Sequence, residues 1–229
     1  MSGDGGPDYA FPEWLPLEPI EPGSTVIVAG PAFSNAEELV EGMVAGGTAD
    51  GEGALFIATN ETCRKLVQSL GRTAADLDRS RLGVIDCSGQ DIGRGEFDIQ
   101  VKYVSTQSDL TGIGMKFSAL YESLYGVASG GRVRTGLISL SSLSMYVDLR
   151  KLFQFAQTLS GRIDSAGGLG AFTIDPTTHD TQTVNTLCQV ADGRIDVREP
   201  EVEDADGELR IRGLSGQPSG WQPFSLPSE

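Results

Sequence analysis

The chain has 229 residues, 39% of them apolar, with a net charge of −15 and a pI near 4.4. This length suits one sizeable α/β domain rather than two. A surface so acidic excludes non-specific binding to nucleic acid or to anionic membranes as its main activity.

The basic residues are 13 Arg and only four Lys (Lys65, Lys102, Lys116 and Lys151). Acidic excess with Lys scarcity is the pattern expected of a halophilic protein, where strong screening tolerates charge that would otherwise repel itself. Cys63, Cys87 and Cys188 are odd in number and far apart, and form no C-x-x-C pair. They suit reduced thiols in a cytosolic protein better than a disulfide framework or a zinc site, with Cys87 and Cys188 as core residues. The N-terminus MSGDGGPDYAFPEW has neither a basic start nor an apolar run, so no signal peptide is expected. No stretch approaches the ~20 apolar residues of a membrane span. A soluble, cytoplasmic protein is expected.

Residues 1–23 carry Pro7, Pro12, Pro16, Pro19 and Pro22, which exclude a regular helix or central strand. They read as a Pro/Gly-rich extension whose Phe11, Trp14 and Leu17 dock onto the body; the alternative is a polyproline-type partner motif. A domain over residues 24–214 follows, and residues 215–229 read as an irregular tail.

Thr25–Ala29 predicts a buried strand, Gly30-Pro31 a tight turn, and a helix begins near Ser34. Strand, glycine loop and helix is the layout of a phosphate-binding loop, G-x-x-x-x-G-K-[ST]. Gly30 fits its first glycine. Asn35 stands in place of the second, Ala36 in place of the Lys, and Glu37 in place of the Mg²⁺-binding Ser/Thr. The stretch Gly30, Pro31, Ala32, Phe33, Ser34, Asn35, Ala36 and Glu37 is therefore a vestigial phosphate loop. Ser34-Asn35-Ala36-Glu37 also reads as S-x-x-E, a capping box in which Ser34 and Glu37 would satisfy the helix terminus without a phosphate.

Further on, Ala54–Thr59 predicts a strand, with Asn60 capping a helix that Gly71 ends. Arg81–Ser88 predicts a strand, residues 89–100 a loop with Gly89, Gly93 and Gly95, and Val101–Ser105 a short strand. Asp109 caps a helix with Leu110, Ile113, Phe117, Leu120 and Leu124 at spacings of three and four. Val133–Leu140 predicts a strand, Ser141–Ser144 a Ser-rich connection, and Asp148 the cap of a helix. Gly168–Asp175 predicts a strand, and about His179–Ala191 a helix. Gly193–Glu199 and Glu208–Leu214 alternate like an antiparallel pair. Strands alternating with helices call for a mostly parallel sheet covered on both faces.

The strand–GPAFS–helix stretch and the runs SDLTGIGMKFSALYESL, RTGLISLSSLSMYVDLRKLFQFAQTLSGRI and GLGAFTIDPTTHDTQTVNTLCQVADGRIDVR carry a resemblance. Over about residues 24–224 the chain resembles the haloarchaeal RecA/KaiC-like proteins, described as RecA-superfamily ATPases implicated in signal transduction. The resemblance implies a RecA-like, P-loop-type three-layer α/β fold with helices on both faces and a C-terminal antiparallel strand pair. It implies ATP on the first loop and a Mg²⁺-binding acid at the end of the strand over Thr135–Leu140. That place falls here on Ile138 or Ser139, neither a carboxylate. Glu61 matches the position of a catalytic glutamate, and equally serves as a helix-opening residue.

With Ala36, Glu37 and Glu38, the loop has no side-chain cation and adds negative charge where phosphates would approach. ATP hydrolysis by the standard route is not expected. The only histidine, His179, lies in DPTTHD with Asp175 and Asp180, and one His with two Asp is a weak metal set. The exit over Ser139, Ser141, Ser142 and Ser144 has no GxSxG elbow, so a serine hydrolase is not supported. The reading that follows is a non-catalytic regulatory or scaffolding protein, a pseudo-ATPase without cofactor that acts through protein contacts and forms homo-oligomers by analogy. The alternatives are an ATP-binding switch with a divergent loop and a DNA-repair or recombination accessory protein using a patch at Arg132 and Arg134.

Overall fold

The computed structural model describes residues 6–89 and 98–227. Among the described residues nine strands form one sheet: β1 (Thr25–Ala29), β2 (Gly53–Ala58), β3 (Leu82–Asp86), β4 (Gln100–Tyr103), β5 (Val133–Ile138), β6 (Leu169–Ile174), β7 (Gly193–Arg198), β8 (Gly207–Arg212) and β9 (Gln222–Phe224). Their order is β4-β3-β2-β5-β6-β1-β7-β8-β9. Every pairing from β4 to β7 is parallel; β8 runs antiparallel to β7, and β9 antiparallel to β8. Six α-helices lie among the described residues: α1 (Ala36–Ala45), α2 (Cys63–Thr73), α3 (Leu110–Val127), α4 (Leu140–Ser144), α5 (Leu149–Ser165) and α6 (Thr181–Cys188).

Strand periodicity explains the three layers. Side chains alternate between faces along a strand, and β1 and β2 are apolar at every position but Thr25 and Gly53, as strands covered on both sides must be. Val26, Val28, Ala54 and Phe56 join Leu39, Val40, Met43, Leu66 and Leu70 of α1 and α2 in one core. Ile27, Ala29, Leu55 and Ile57 join Phe117, Leu120, Leu152, Leu159 and Leu187 of α3, α5 and α6 in the other.

Caps set most helix starts. Asp109, Asp148 and Asp180 accept the backbone N–H groups of Gly112, Lys151 and Thr183. Other expectations give way. Thr62, not Asn60, caps α2 by accepting from Lys65, and the helix runs through Gly71 to Thr73. Glu61 thus lies outside the helix. The Ser-rich connection is the short helix α4, capped by Ser139, whose Oγ accepts from the N–H of Ser142. The helix expected from His179 spans only Thr181–Cys188. Within the tail, expected to be irregular, Gln222–Phe224 adds a strand; three residues are too few for a periodic signal. Of the loop glycines, Gly93 and Gly95 lie outside the described residues.

The N-terminal extension packs on the body. Tyr9 and Ile20 exchange backbone hydrogen bonds of 2.7 and 3.0 Å, and both are buried. Phe11, Trp14 and Leu17 lie against the α1/α2 core. Trp14 stands 6.4 Å from Phe224 between ring centroids, while Trp221 lies under Arg198 and Arg210. The two tryptophans thus hold the two tails. Arg134, almost wholly buried, donates to Glu52 and to the Met43 carbonyl. Arg132 donates to Glu52 and to the carbonyls of Pro7 and Asp8, with its guanidinium over the Tyr9 ring. This corrects the expected nucleic-acid patch: both arginines are committed to internal partners, and one is out of solvent altogether.

The three cysteines are unpaired. Burial pushes the Cys63 and Cys87 thiols up to about 12, with Asp86 adding to both. Such thiols are poor nucleophiles at neutral pH. Cys188, expected in the core, is only half-buried, with its sulfur 3.7 Å from the Arg194 guanidinium.

Candidate functional site

In an open α/β sheet, the crevice outside the C-terminal strand ends is where backbone and loops leave room for a ligand. Here a cavity of about 610 Å³ opens there, over the ends of β1, β5 and β6. Gly30, Pro31, Ala32, Phe33, Ser34, Asn35, Ala36 and Glu37 all line it, so the stretch singled out from the sequence is one wall. Ser139, Ser141, Ser142, Ser144 and Met145 come from β5 and α4, and Thr173, Asp175, Thr178 and His179 from β6 and its loop.

The loop leaves β1 with the N–H of Gly30 donating to the Ile174 carbonyl at 3.1 Å. Gly30 is required by close approach: a Cβ there would collide with Ser34 Oγ and with Ala36 Cβ, 2.7 Å away. Two residues take left-handed backbone, Phe33 at φ 67° and Asn35 at φ 60°. Asn35 occupies the place of the motif's second glycine, and Asn tolerates that conformation better than other side chains. Its Nδ2 donates to the Asp206 carbonyl at 2.7 Å, tying the loop to the start of β8.

The expected capping box is not formed. Asn35, not Ser34, is the residue before the helix, and no side chain caps α1. Ser34 Oγ is buried without a hydrogen-bond partner. Glu37 turns away to accept from Asn60 Nδ2 at 2.8 Å. A long-range partner thus replaces the local one that S-x-x-E predicts. Burial raises the Glu37 carboxyl above its usual range, the Asn60 bond offsets part of that, and neighbouring Glu38 raises it further.

At the end of β5, the Ser139 N–H donates to Thr59 Oγ1 at 2.5 Å. Ile138 and Ser139 hold the place where the resemblance puts a metal-binding acid. Glu61 does not line the cavity. It lies in a neighbouring crevice with Glu37, Glu38, Glu41 and Lys65, and its carboxyl is pushed up to about 7 by burial, then by Glu37 and Glu38. His179 Nε2 hydrogen-bonds Ser141 Oγ at 2.9 Å, and Ser141 Oγ also accepts the Asp175 N–H at 2.9 Å. Among the described residues, no group of three or more His, Cys, Asp or Glu is placed to hold a metal ion. Thr173 and Met145 line the cavity without any motif to mark them in the sequence; for Thr173 the position near the end of β6 was the available signal.

The architecture, with the cavity at its switch point, is a RecA-like α/β fold of the kind seen in KaiC-like proteins. A KaiC-like protein from the hyperthermophilic archaeon Pyrococcus horikoshii OT3 shares the fold at a TM-score of 0.69 and 14% identity, over 96% of this chain and 98% of that one. The chain belongs to a family of unknown function, DUF7504, whose model matches residues 23–197. No curated protein matches the sequence. No helix among the described residues is long and apolar enough to cross a membrane.

Proposed function

We propose that this protein is a non-catalytic regulatory or scaffolding member of the KaiC-like fold, a pseudo-ATPase that acts through protein contacts. One observation carries this reading: the cavity at the degenerate phosphate loop has no Lys or Arg among its described lining residues, and it includes Glu37, Glu38 and Asp175. Transfer of a phosphoryl group needs positioned cations around the migrating charge. A Mg²⁺–triphosphate does not fit this donor set, since Ala36 replaces the cation and Ile138 and Ser139 offer no carboxylate for the metal. The acidic, Lys-poor composition supports a halophilic, cytoplasmic setting, so measurements belong in molar KCl. Isothermal calorimetry with ATP and Mg²⁺ is expected to show neither heat of binding nor turnover; micromolar affinity with ADP release overturns the reading.

One observation favours a second reading, a nucleotide-binding switch. The N–H groups that open α1 have no side-chain acceptor, and an uncapped helix N-terminus suits an anion. This predicts a rise in Tm with millimolar ATP or ADP by linkage; no shift removes it. The triple variant Asn35→Gly, Ala36→Lys and Glu37→Thr is expected to gain nucleotide affinity before any hydrolysis, read by the same thermal shift. If it binds no better than the parent, the phosphate-loop ancestry of the stretch fails.

A further inference from the structure

We propose that this cavity is a docking site for a basic segment of a partner protein, with an Arg or Lys side chain entering it and an apolar neighbour packing on Phe33 and Met145. The proposal rests on the reading that the site works through protein contacts.

Phe33 is 96% exposed and Met145 80% exposed, and both line the cavity from different elements. Phe33 is also held in left-handed backbone, a conformation that disfavours bulky side chains. An aromatic ring displayed this way contributes nothing to the core. It is the kind of anchor on which interfaces concentrate their binding energy, while Met supplies an adaptable apolar contact.

Charge selects the occupant. Glu37, Glu38 and Asp175 line the cavity, and no described lining residue is Lys or Arg. Burial already raises the Glu37 carboxyl and Glu38 raises it further, so an arriving guanidinium relieves an existing repulsion. Charge-assisted hydrogen bonds to these carboxylates are strong and directional. Ser34 and Thr173, also lining residues, are buried with hydroxyls that have no partner, so the floor retains unused acceptors. The backbone carbonyls of the bound segment meet the uncapped N–H groups of α1. A second copy of the chain is disfavoured because each copy carries −15, and an anionic membrane is disfavoured for the same reason.

The test is fluorescence anisotropy of a short labelled peptide of alternating Arg and Leu, titrated with the full chain over a KCl series. Binding is expected, and Phe33→Ser and the double variant Glu37→Gln with Glu38→Gln should each weaken it about tenfold. The control double variant Glu199→Gln with Glu203→Gln, which removes equal charge on the exposed β7–β8 turn, should leave it unchanged. Equal weakening by that control would mean that binding follows net charge alone, and the proposal fails. It also fails if an Arg/Ser peptide binds as tightly as the Arg/Leu one, if a Glu/Leu peptide does, or if spermine displaces the peptide at matched charge. ATP with Mg²⁺ in the same assay separates the two readings. Displacement with turnover sinks the non-catalytic function, whereas no peptide binding with ATP inert sinks the docking site alone.

Discussion

Glu41 is a carboxyl held almost out of water. It sits on the buried side of α1, where Ser69 and Thr73 donate hydroxyl hydrogen bonds to it. Burial pushes its pKa up to about 8, partly offset by those two bonds and reinforced by Glu38 and Glu61. A carboxyl whose folded pKa exceeds its unfolded one binds more protons when folded. Stability therefore falls as pH rises from about 4.5 to about 8. Glu41→Gln is expected to flatten that decline and to raise Tm above pH 8, by about 2–4 °C for each kcal/mol recovered. Melting curves at pH 5, 7 and 9 check this, and an unchanged pH slope contradicts it. Arg134 makes the opposite demand. Its burial against Glu52 and the Met43 carbonyl leaves no water to replace it. Arg134→Met is expected to cost about 3–5 kcal/mol, because a buried ion pair loses one partner; urea denaturation measures the loss.

Among the elements, the N-terminal extension is where local sequence and tertiary packing part ways. Its prolines exclude regular structure, yet Trp14 packs so closely on α1 that a Cβ at Gly42 would overlap its ring. Trp14→Ala is expected to release the segment while the sheet stays intact. Chymotrypsin should then cut after Tyr9 and Leu17, neither of which is followed by proline, at least about tenfold faster, as expected when local opening becomes easy. Circular dichroism of the sheet and helices should be unchanged. The same contrast explains what could be read in advance. β1 and β2 were legible because they are apolar almost throughout, β7 and β8 because apolar and polar residues alternate along them, and α3 and α5 because an Asp cap precedes a 3.6-residue pattern. The S-x-x-E box misled because Asn60, 23 positions from Glu37, competes for its carboxylate and no local rule weighs that. Asn60 was in turn lost as a cap because Thr62 stands two residues later. The cavity's far wall was illegible for a further reason. Ser141, Asp175 and His179 meet only through the adjacency of β5 and β6, and hydroxyl-rich strand exits carry no periodic signal.

For the whole molecule, the net charge of −15 is the dominant electrostatic term. Like charges at this density oppose compaction, and added salt shortens their reach from about 10 Å at 0.1 M to about 3 Å at 1 M. Tm is expected to rise steeply between 0.1 and 2 M KCl. A flat profile would show that local pairs such as Arg198–Glu208 already balance the field.

The sheet order also sets a timetable for synthesis. β1 is made before the other described strands, but it pairs Thr25 with Gly170 of β6 and Val26 with Gly193 of β7. Its two neighbours are among the last strands made. Until they arrive, TVIVA is an unpartnered apolar strand with both edges open, while β2 and β3 have both their partners as soon as β5 is made. The sheet is therefore completed by the insertion of its earliest strand, and the loop that follows β1 takes its shape only once β6 and β7 have been made.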